Sequence, residues 1–98
     1  MKFAQIIEFT TSRIDDFNAE LDAWMTRTEG SRIPHSAVLS KDRDAENVYL
    51  LMVEFASHEQ GMENSGRPET GDFAAFLNSI ADGPLKFRNL DVVRVEHL

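Results

Sequence analysis

Hydrophobic and polar residues alternate with a period of two in three parts of the chain, a pattern that predicts β-strands. The first part spans residues 2–10, the second is Arg32–Ser40, and the third is the run from Leu90 to Glu96 within the last segment, Leu85–Leu98. A fourth strand is predicted at Asn47–Ala56, because its core VYLLMVEF is almost continuously apolar. Such a run is typical of a strand that is buried on both faces.

A helix is predicted between the first two strands, where apolar residues recur every three or four positions. These residues are Ile14, Phe17, Leu21, Trp24 and Met25. Ser12 with Asp15 resembles a capping box at the start of the helix, and Gly30 ends it. The position of Trp24 on the apolar stripe predicts that its indole packs in the core.

Two helical pieces are predicted after the third strand. Ser57 with Gln60 forms a second capping box and starts a short piece that runs through Glu63. A longer helix begins at Pro68, a residue favoured in a first helical turn, and continues until Gly83. The order of elements is therefore βαββαβ, in a single domain of residues 1–98.

The two faces of this sheet are predicted to be covered differently. Right-handed crossovers place both main helices on the same side. The residues expected beneath them are Phe3, Ile7, Phe9, Leu51, Val53, Phe55, Val93 and Val95. The opposite face, here called the open face, also carries apolar residues: Ala4, Ile6, Leu39, Val48, Leu50, Met52 and Val92. Leaving such side chains exposed to water would lose about 1.5–3 kcal/mol of hydrophobic stabilisation each. We therefore expect the open face to pair with a second copy. The predicted architecture is a ferredoxin-like α+β fold with a four-stranded antiparallel sheet, which forms a dimeric α+β barrel when two copies pair.

Composition narrows the classes of partner. The chain has 98 residues, a formal net charge of −7 and ten scattered Lys and Arg residues, which argues against a nucleic-acid partner. It has no apolar run of about 18 residues, so no membrane partner is expected. The start of the chain lacks the pattern of a secretory signal, and there is no cysteine to form disulfides, which together favour the cytoplasm.

The stretch from Glu54 to Thr70 resembles the antibiotic-biosynthesis-monooxygenase-like family of dimeric α+β barrels. The features that carry the resemblance are Phe55 at a strand end, the cap Ser57, the short helix His58–Glu63, Pro68 and the helix around Phe73–Ile80. The run NSGRPET and the segment GPLKFRNLDVVR are similar to small bacterial proteins of this kind. The position at which many members of the family have a His is occupied here by Asn64. The resemblance implies a fold that hosts cofactor-independent oxygenases, haem-degrading enzymes and isomerases.

Three residues are predicted to form a catalytic set. A hairpin that turns at residues 41–46 would place His35 roughly opposite Met52 on the open face, with Glu54 close by and Glu8 on the neighbouring strand. Two carboxylates and an imidazole beside one apolar cavity can act as general acid and base. The alternative is that Glu8 and Glu54 reach solvent at the mouth of the barrel while His35 is an interface histidine with its hydrogen bonds satisfied.

Three further residues are candidates for ligand binding. Arg94, expected on the open face of the last strand, could hold a carboxylate or phenolate, or could simply pair with Glu96. Asn64 could orient a ligand at the barrel entrance, or could cap the end of a helix. Met52 is the methionine expected to line the cavity.

Two functions remain open on the sequence alone. The first is a cofactor-independent monooxygenase-like or isomerase-like enzyme that acts on a small hydrophobic or aromatic molecule, with haem binding as a variant. The second is a non-catalytic dimeric module that binds a ligand or a protein, in which little open volume would remain. No cofactor and no metal site are predicted, because the chain lacks nucleotide fingerprints and metal-binding His motifs.

Overall fold

The computed structural model describes residues 1–98 as a four-stranded antiparallel sheet with three helices on one face. The strands are β1 (Phe3–Thr10), β2 (Ser36–Lys41), β3 (Val48–Phe55) and β4 (Lys86–Asp91). The helices are α1 (Ile14–Arg27), α2 (His58–Ser65) and α3 (Pro68–Ile80). The strands lie in the order β2-β3-β1-β4. The ferredoxin-like α+β fold is thus confirmed, with the predicted short helical piece forming α2. None of the helices is long and apolar enough to span a membrane.

The core lies between the sheet and the helices and is largely aromatic. Phe9 of β1 stacks on Tyr49 of β3 at 5.9 Å between ring centroids and lies 5.2 Å from Phe17 of α1. Leu51 of β3 and Leu77 and Ile80 of α3 complete the buried cluster. The period of two in β1 and β3 therefore directs one side of each strand into this core, and burial of these side chains fixes the helices on that face.

Helix α2 packs over the other end of the same face. Ser57 caps it as predicted, with its hydroxyl accepting a hydrogen bond from the Gln60 amide at 3.2 Å, but the Gln60 side chain does not return the second bond of a capping box. Gly61 of this helix lies against Phe3. Phe3 in turn contacts Phe55, with ring centroids 5.9 Å apart. The close approach of the helix to the sheet depends on a residue without a side chain at position 61.

The start of α1 differs from the prediction. The helix begins at Ile14 with Arg13 at the N-cap and no side-chain cap, so the predicted capping box of Ser12 and Asp15 is wrong. The hydroxyl of Thr11 instead accepts a hydrogen bond from the Arg13 amide at 3.0 Å. This hydrogen bond holds the turn before α1 but does not cap the helix.

The last strand also differs from the prediction, because β4 ends at the residue that lies opposite the start of β1. Phe3, the first residue of β1, pairs with Asp91, the last residue of β4. The residues beyond Asp91 have no strand of the same subunit beside them. Val93 and Val95, expected beneath the helices, are 84% and 59% exposed. Arg94, expected on the last strand, lies outside the sheet.

The hairpin of β2 and β3 has a different register from the one expected. Val38, not His35, lies opposite Met52. The register differs by three residues. Because successive side chains of a strand point to opposite faces, an odd shift moves the side chains of β2 to the other face of the sheet. Leu39, expected on the open face, therefore packs beside Leu51 on the helix side. The open face retains the predicted residues Ala4, Ile6, Val48, Leu50 and Met52 and also carries Val38 and Leu90. Of these, Val38, Met52 and Leu90 are exposed.

Candidate functional site

A cavity of about 370 Å³ lies between the helix side of the sheet and the three helices. Nine of its 16 lining residues are hydrophobic, so a bound molecule would have to be largely apolar. From the helices it is lined by Leu21, Trp24, Met25 and Phe73, and from the sheet by Ile7, Leu51, Val53 and Phe55. The cavity therefore does not lie on the open face, where the sequence pattern predicts the site.

The connection between α1 and β2 forms one wall of the cavity. Because α1 ends at Arg27 and β2 begins only at Ser36, the predicted strand from Arg32 is replaced by an irregular segment at its start. Arg32, Pro34 and His35 of this segment line the cavity. Two candidate functional groups, a guanidinium and an imidazole, are therefore only three residues apart on one loop.

His35 is held by its backbone. Its amide donates a hydrogen bond to the carbonyl oxygen of Glu54 at 2.8 Å, which anchors the residue at the edge of β3. The His35 side chain lines the cavity and is exposed, without a hydrogen bond from its imidazole to another residue. An imidazole in this position is free to exchange a proton with a bound molecule.

The two predicted carboxylates lie on the other side of the sheet from this cavity. Glu54 pairs in register with Ala4, and Glu8 lies four residues further along β1. That separation is about 13 Å at 3.3 Å per residue. The carboxylate of Glu54 forms an ion pair with Lys2 at 3.2 Å, and that of Glu8 with Lys86 at 3.4 Å. The structure therefore does not assemble His35, Glu8 and Glu54 into one set, and the role of each residue stays a prediction.

The three predicted ligand-binding residues separate in the same way. Asn64 lies in the last turn of α2 and lines the cavity, while Gly66 is the C-cap of that helix. Met52 lies on the open face, in a shallow depression with Ile6. Arg94 is exposed and pairs with Glu96 at 2.8 Å between Nε and Oε1, which is the alternative considered above.

Arg32 also lines the cavity, although the sequence pattern does not mark it as a site residue. Its Nη2 donates to the carbonyl oxygen of Met25 at 2.9 Å, and its Nε donates to the hydroxyl of Thr28 at 3.3 Å. Its guanidinium carbon lies 5.5 Å from the ring centroid of Trp24. The end of α1 therefore fixes the guanidinium at the cavity. The sequence carries no signal for this contact beyond the closeness of Arg32 to the predicted helix end.

Gln5, Thr70 and Trp24 are further cavity residues without a predicted role in a site. Gln5 is oriented by a hydrogen bond from its Nε2 to Oδ1 of Asn89, at 3.2 Å. The sequence contains a signal that could have marked Gln5 as a site residue, because Gln5 is a polar residue on the otherwise apolar side of β1. Trp24, assigned to core packing, is half-buried and contacts Phe73 edge to face at 6.4 Å between centroids. The position of Trp24 on the apolar stripe of α1 does not show whether its indole packs in the core or lines a cavity.

No family model matches the chain, and no curated protein does. Solved structures match over almost its whole length. Rv0793 from Mycobacterium tuberculosis has a TM-score of 0.77 at 20% identity, covering 99% of this chain and 100% of that one. A mutant of SnoaB, a cofactor-independent oxygenase from Streptomyces nogalater, has a TM-score of 0.79 at 13% identity, covering 96% and 95%.

A third structure is described as an antibiotic biosynthesis monooxygenase. It has a TM-score of 0.72 at 12% identity and covers 96% of this chain and 100% of that one. At these identities the likeness is one of fold. The resemblance predicted from Phe55, Ser57 and Pro68 is confirmed at that level: the chain has the α+β fold of the antibiotic-biosynthesis-monooxygenase-like proteins.

Proposed function

We propose that the protein is a cofactor-independent monooxygenase-like enzyme that binds a small aromatic molecule in the cavity beside the helices. The observation that carries the proposal is the cavity itself. Its volume of about 370 Å³ falls within the range of small-molecule sites. Its walls are mostly apolar, and His35, Asn64 and Gln5 supply a few polar groups. The fold shared with SnoaB, which is described as a cofactor-independent oxygenase, supports the class of reaction.

The proposed reaction starts with the loss of a proton from an activated C–H group of the bound molecule. His35 is the proposed base, because its imidazole lines the cavity and has no partner within the protein. The resulting carbanion reduces O₂ and forms a hydroperoxide at the same carbon. Loss of water then leaves a carbonyl group. A CH₂ group and O₂ are thereby converted into C=O and H₂O, with the substrate as the reductant.

Two aromatic side chains form part of the cavity wall. Trp24 and Phe73 both line the cavity and contact each other edge to face, at 6.4 Å between centroids. An aromatic molecule can stack on, or pack edge to face against, such rings, which favours it over an aliphatic one. Asn64 and Gln5 can hydrogen-bond an oxygen atom of the bound molecule, since each amide offers both donors and an acceptor.

The open volume does not favour the second function. A non-catalytic module would have its interior filled and its inward polar groups paired with one another. Here the cavity is open, and the imidazole of His35 is without a partner. The proposal further includes a homodimer formed through the open face, because exposed apolar side chains remain there.

The test is oxygenation of a panel of anthrones, hydroquinones and phenols, each with and without a carboxylate group, under ¹⁸O₂, followed by mass spectrometry. We expect one ¹⁸O atom in a carbonyl product formed by the unaltered protein. His35→Ala should lower the rate by about 100-fold or more, the usual contribution of a general base. Circular dichroism would show that the variant is folded.

Glu54→Gln and Glu8→Gln test the remaining predicted catalytic residues in the same assay. If either carboxylate takes part in proton transfer, its variant should lose activity as His35→Ala does. Full activity in all three variants would contradict the assignment of the base. Absence of turnover across the whole panel would count against the oxygenase proposal.

A further inference from the structure

The cavity has an unusual charge for this protein. The chain carries 17 Asp and Glu residues and a formal net charge of −7. None of these acidic residues lines the cavity, whereas Arg32 does. Among the Asp, Glu, Lys and Arg residues of this negatively charged protein, Arg32 alone lines the cavity.

Arg32 also lacks an acidic partner. Six of the ten Lys and Arg residues form ion pairs with Asp or Glu, and Arg32 is not among them. Glu69 lies near Arg32 in a small recess behind Trp24, but its carboxylate pairs with Arg67 at 3.4 Å. Arg32 therefore has no ion pair of its own within the protein.

The guanidinium of Arg32 is held in place and still has unused hydrogen-bond donors. It uses one N–H towards Met25 and one towards Thr28, and it lies over Trp24. A guanidinium has five N–H groups in a rigid plane, so three remain. A carboxylate matches this geometry with two parallel hydrogen bonds, and the restraint from α1 lowers the ordering cost of binding.

We propose that Arg32 selects aromatic molecules that carry a carboxylate group. The carboxylate binds the guanidinium at the edge of the cavity, and the attached ring lies against Trp24 and Phe73. The inference rests on the proposed function for the location of the site, and it adds the chemical class of the substrate. A carboxylate is specified because it is fully ionised at neutral pH, whereas a simple phenol is not.

The experiment compares binding of 2-naphthoate with that of its neutral isostere 2-naphthamide, by calorimetry. Trp24 is the single tryptophan of the chain, so quenching of its fluorescence reports binding at the cavity independently. We expect the unaltered protein to bind 2-naphthoate about tenfold or more tightly than 2-naphthamide. Arg32→Gln should weaken binding of 2-naphthoate by about 10- to 100-fold, the range for a lost charged hydrogen bond.

Two further variants separate recognition from general charge and from folding. Arg43→Gln removes the same charge from an exposed turn residue that has no ion pair, and should leave both affinities within about twofold. Arg32→Lys keeps the charge but not the paired donors, so it should recover part of the affinity. Arg32→Gln should leave the affinity for 2-naphthamide unchanged.

Other outcomes would overturn the inference. Equal binding of acid and amide would remove the preference for a carboxylate while leaving the hydrophobic cavity as a site. Equal weakening of both ligands in Arg32→Gln would show a structural role for Arg32. Failure of both compounds to bind would also reject the inference. Conversely, carboxylate binding through Arg32 without incorporation of ¹⁸O from any substrate would reject the oxygenase and leave this inference intact.

Discussion

Thr11 connects three parts of the chain through hydrogen bonds at one buried position. Its hydroxyl donates to the carbonyl oxygen of Ile80 at 2.7 Å and accepts from the Arg13 amide at 3.0 Å. Its own amide donates to the carbonyl oxygen of Asn47 at 2.9 Å. The residue is fully buried, so water cannot replace these partners. The end of β1, the start of α1 and the end of α3 are therefore joined by one side chain.

Thr11→Val keeps the shape of the side chain and removes the hydroxyl. The carbonyl of Ile80 and the amide of Arg13 would then lose a buried partner, so we expect the free energy of unfolding to fall by about 1–3 kcal/mol. Thr11→Ser keeps the hydroxyl and should cost only about 0.8 kcal/mol for the lost methyl group. Urea denaturation measures both values. A valine variant as stable as the serine variant would show that these hydrogen bonds contribute little.

At single positions the cavity contains two candidates from the sequence, His35 and Asn64, although His35 is predicted on the opposite face of the sheet. The sequence pattern does not mark Arg32 or Trp24 as site residues. Periodicity assigns a side chain to a face of a helix or strand, but it does not show where the helices and the sheet are far enough apart to leave a cavity. Arg32 depends in addition on a contact with Met25 and Thr28 that has no sequence pattern.

Helix α2 approaches the sheet closely at Gly61. A Cβ atom at this position would lie 2.7 Å from two ring atoms of Phe3. The ring of Phe3 cannot move aside easily, because Phe55 contacts it on one side and His58 contacts it edge to face, at 5.1 Å between centroids. Gly61 is therefore required by the distance between the helix and the sheet.

Gly61→Ala should destabilise the protein by about 1–3 kcal/mol, the usual effect of overpacking a tight contact. Gly71→Ala is the matched control, because it lies within α3 and a Cβ atom there would meet nothing within 4 Å. It should stabilise the protein by about 0.4–1 kcal/mol, since alanine restricts the unfolded chain. Thermal and urea unfolding of both variants measure these shifts. Stabilisation by alanine at both positions would contradict the proposed close packing.

The elements themselves were largely predictable from the sequence, apart from features that depend on pairing. β1, β3 and α3 follow from alternation, apolar runs and the Pro68 start. Alternation continues to Glu96 and predicts β4 too late in the chain, although β1 offers no partner beyond Phe3. The register of β2 against β3 was wrong by an odd number of residues, which placed His35 on the wrong face. The hydrophobic pattern of one strand does not determine its register against the neighbouring strand.

The whole molecule has two unlike sides. On the helix side, an aromatic core and the cavity lie beneath α1, α2 and α3. On the open side, apolar residues at the middle of the sheet are bordered by the ion pairs of Lys2 with Glu54 and of Lys86 with Glu8. An apolar centre with a polar rim is the usual anatomy of a protein interface. This arrangement supports the proposed homodimer and separates its contact surface from the cavity.

Met52 and Met62 allow a matched test of the homodimer. Both are methionines with similar exposure, 39% and 44%, but Met52 lies on the open face and Met62 on α2. Met52→Lys would bring an unpaired charge into the proposed interface, where burial costs several kcal/mol per ion. We therefore expect it to shift the dimer to monomer in sedimentation velocity at micromolar concentration. Met62→Lys adds the same charge outside the interface and should sediment as the unaltered dimer. A monomeric unaltered protein, or a Met52→Lys variant that stays dimeric, would exclude pairing through this face, and the open side would then need another partner.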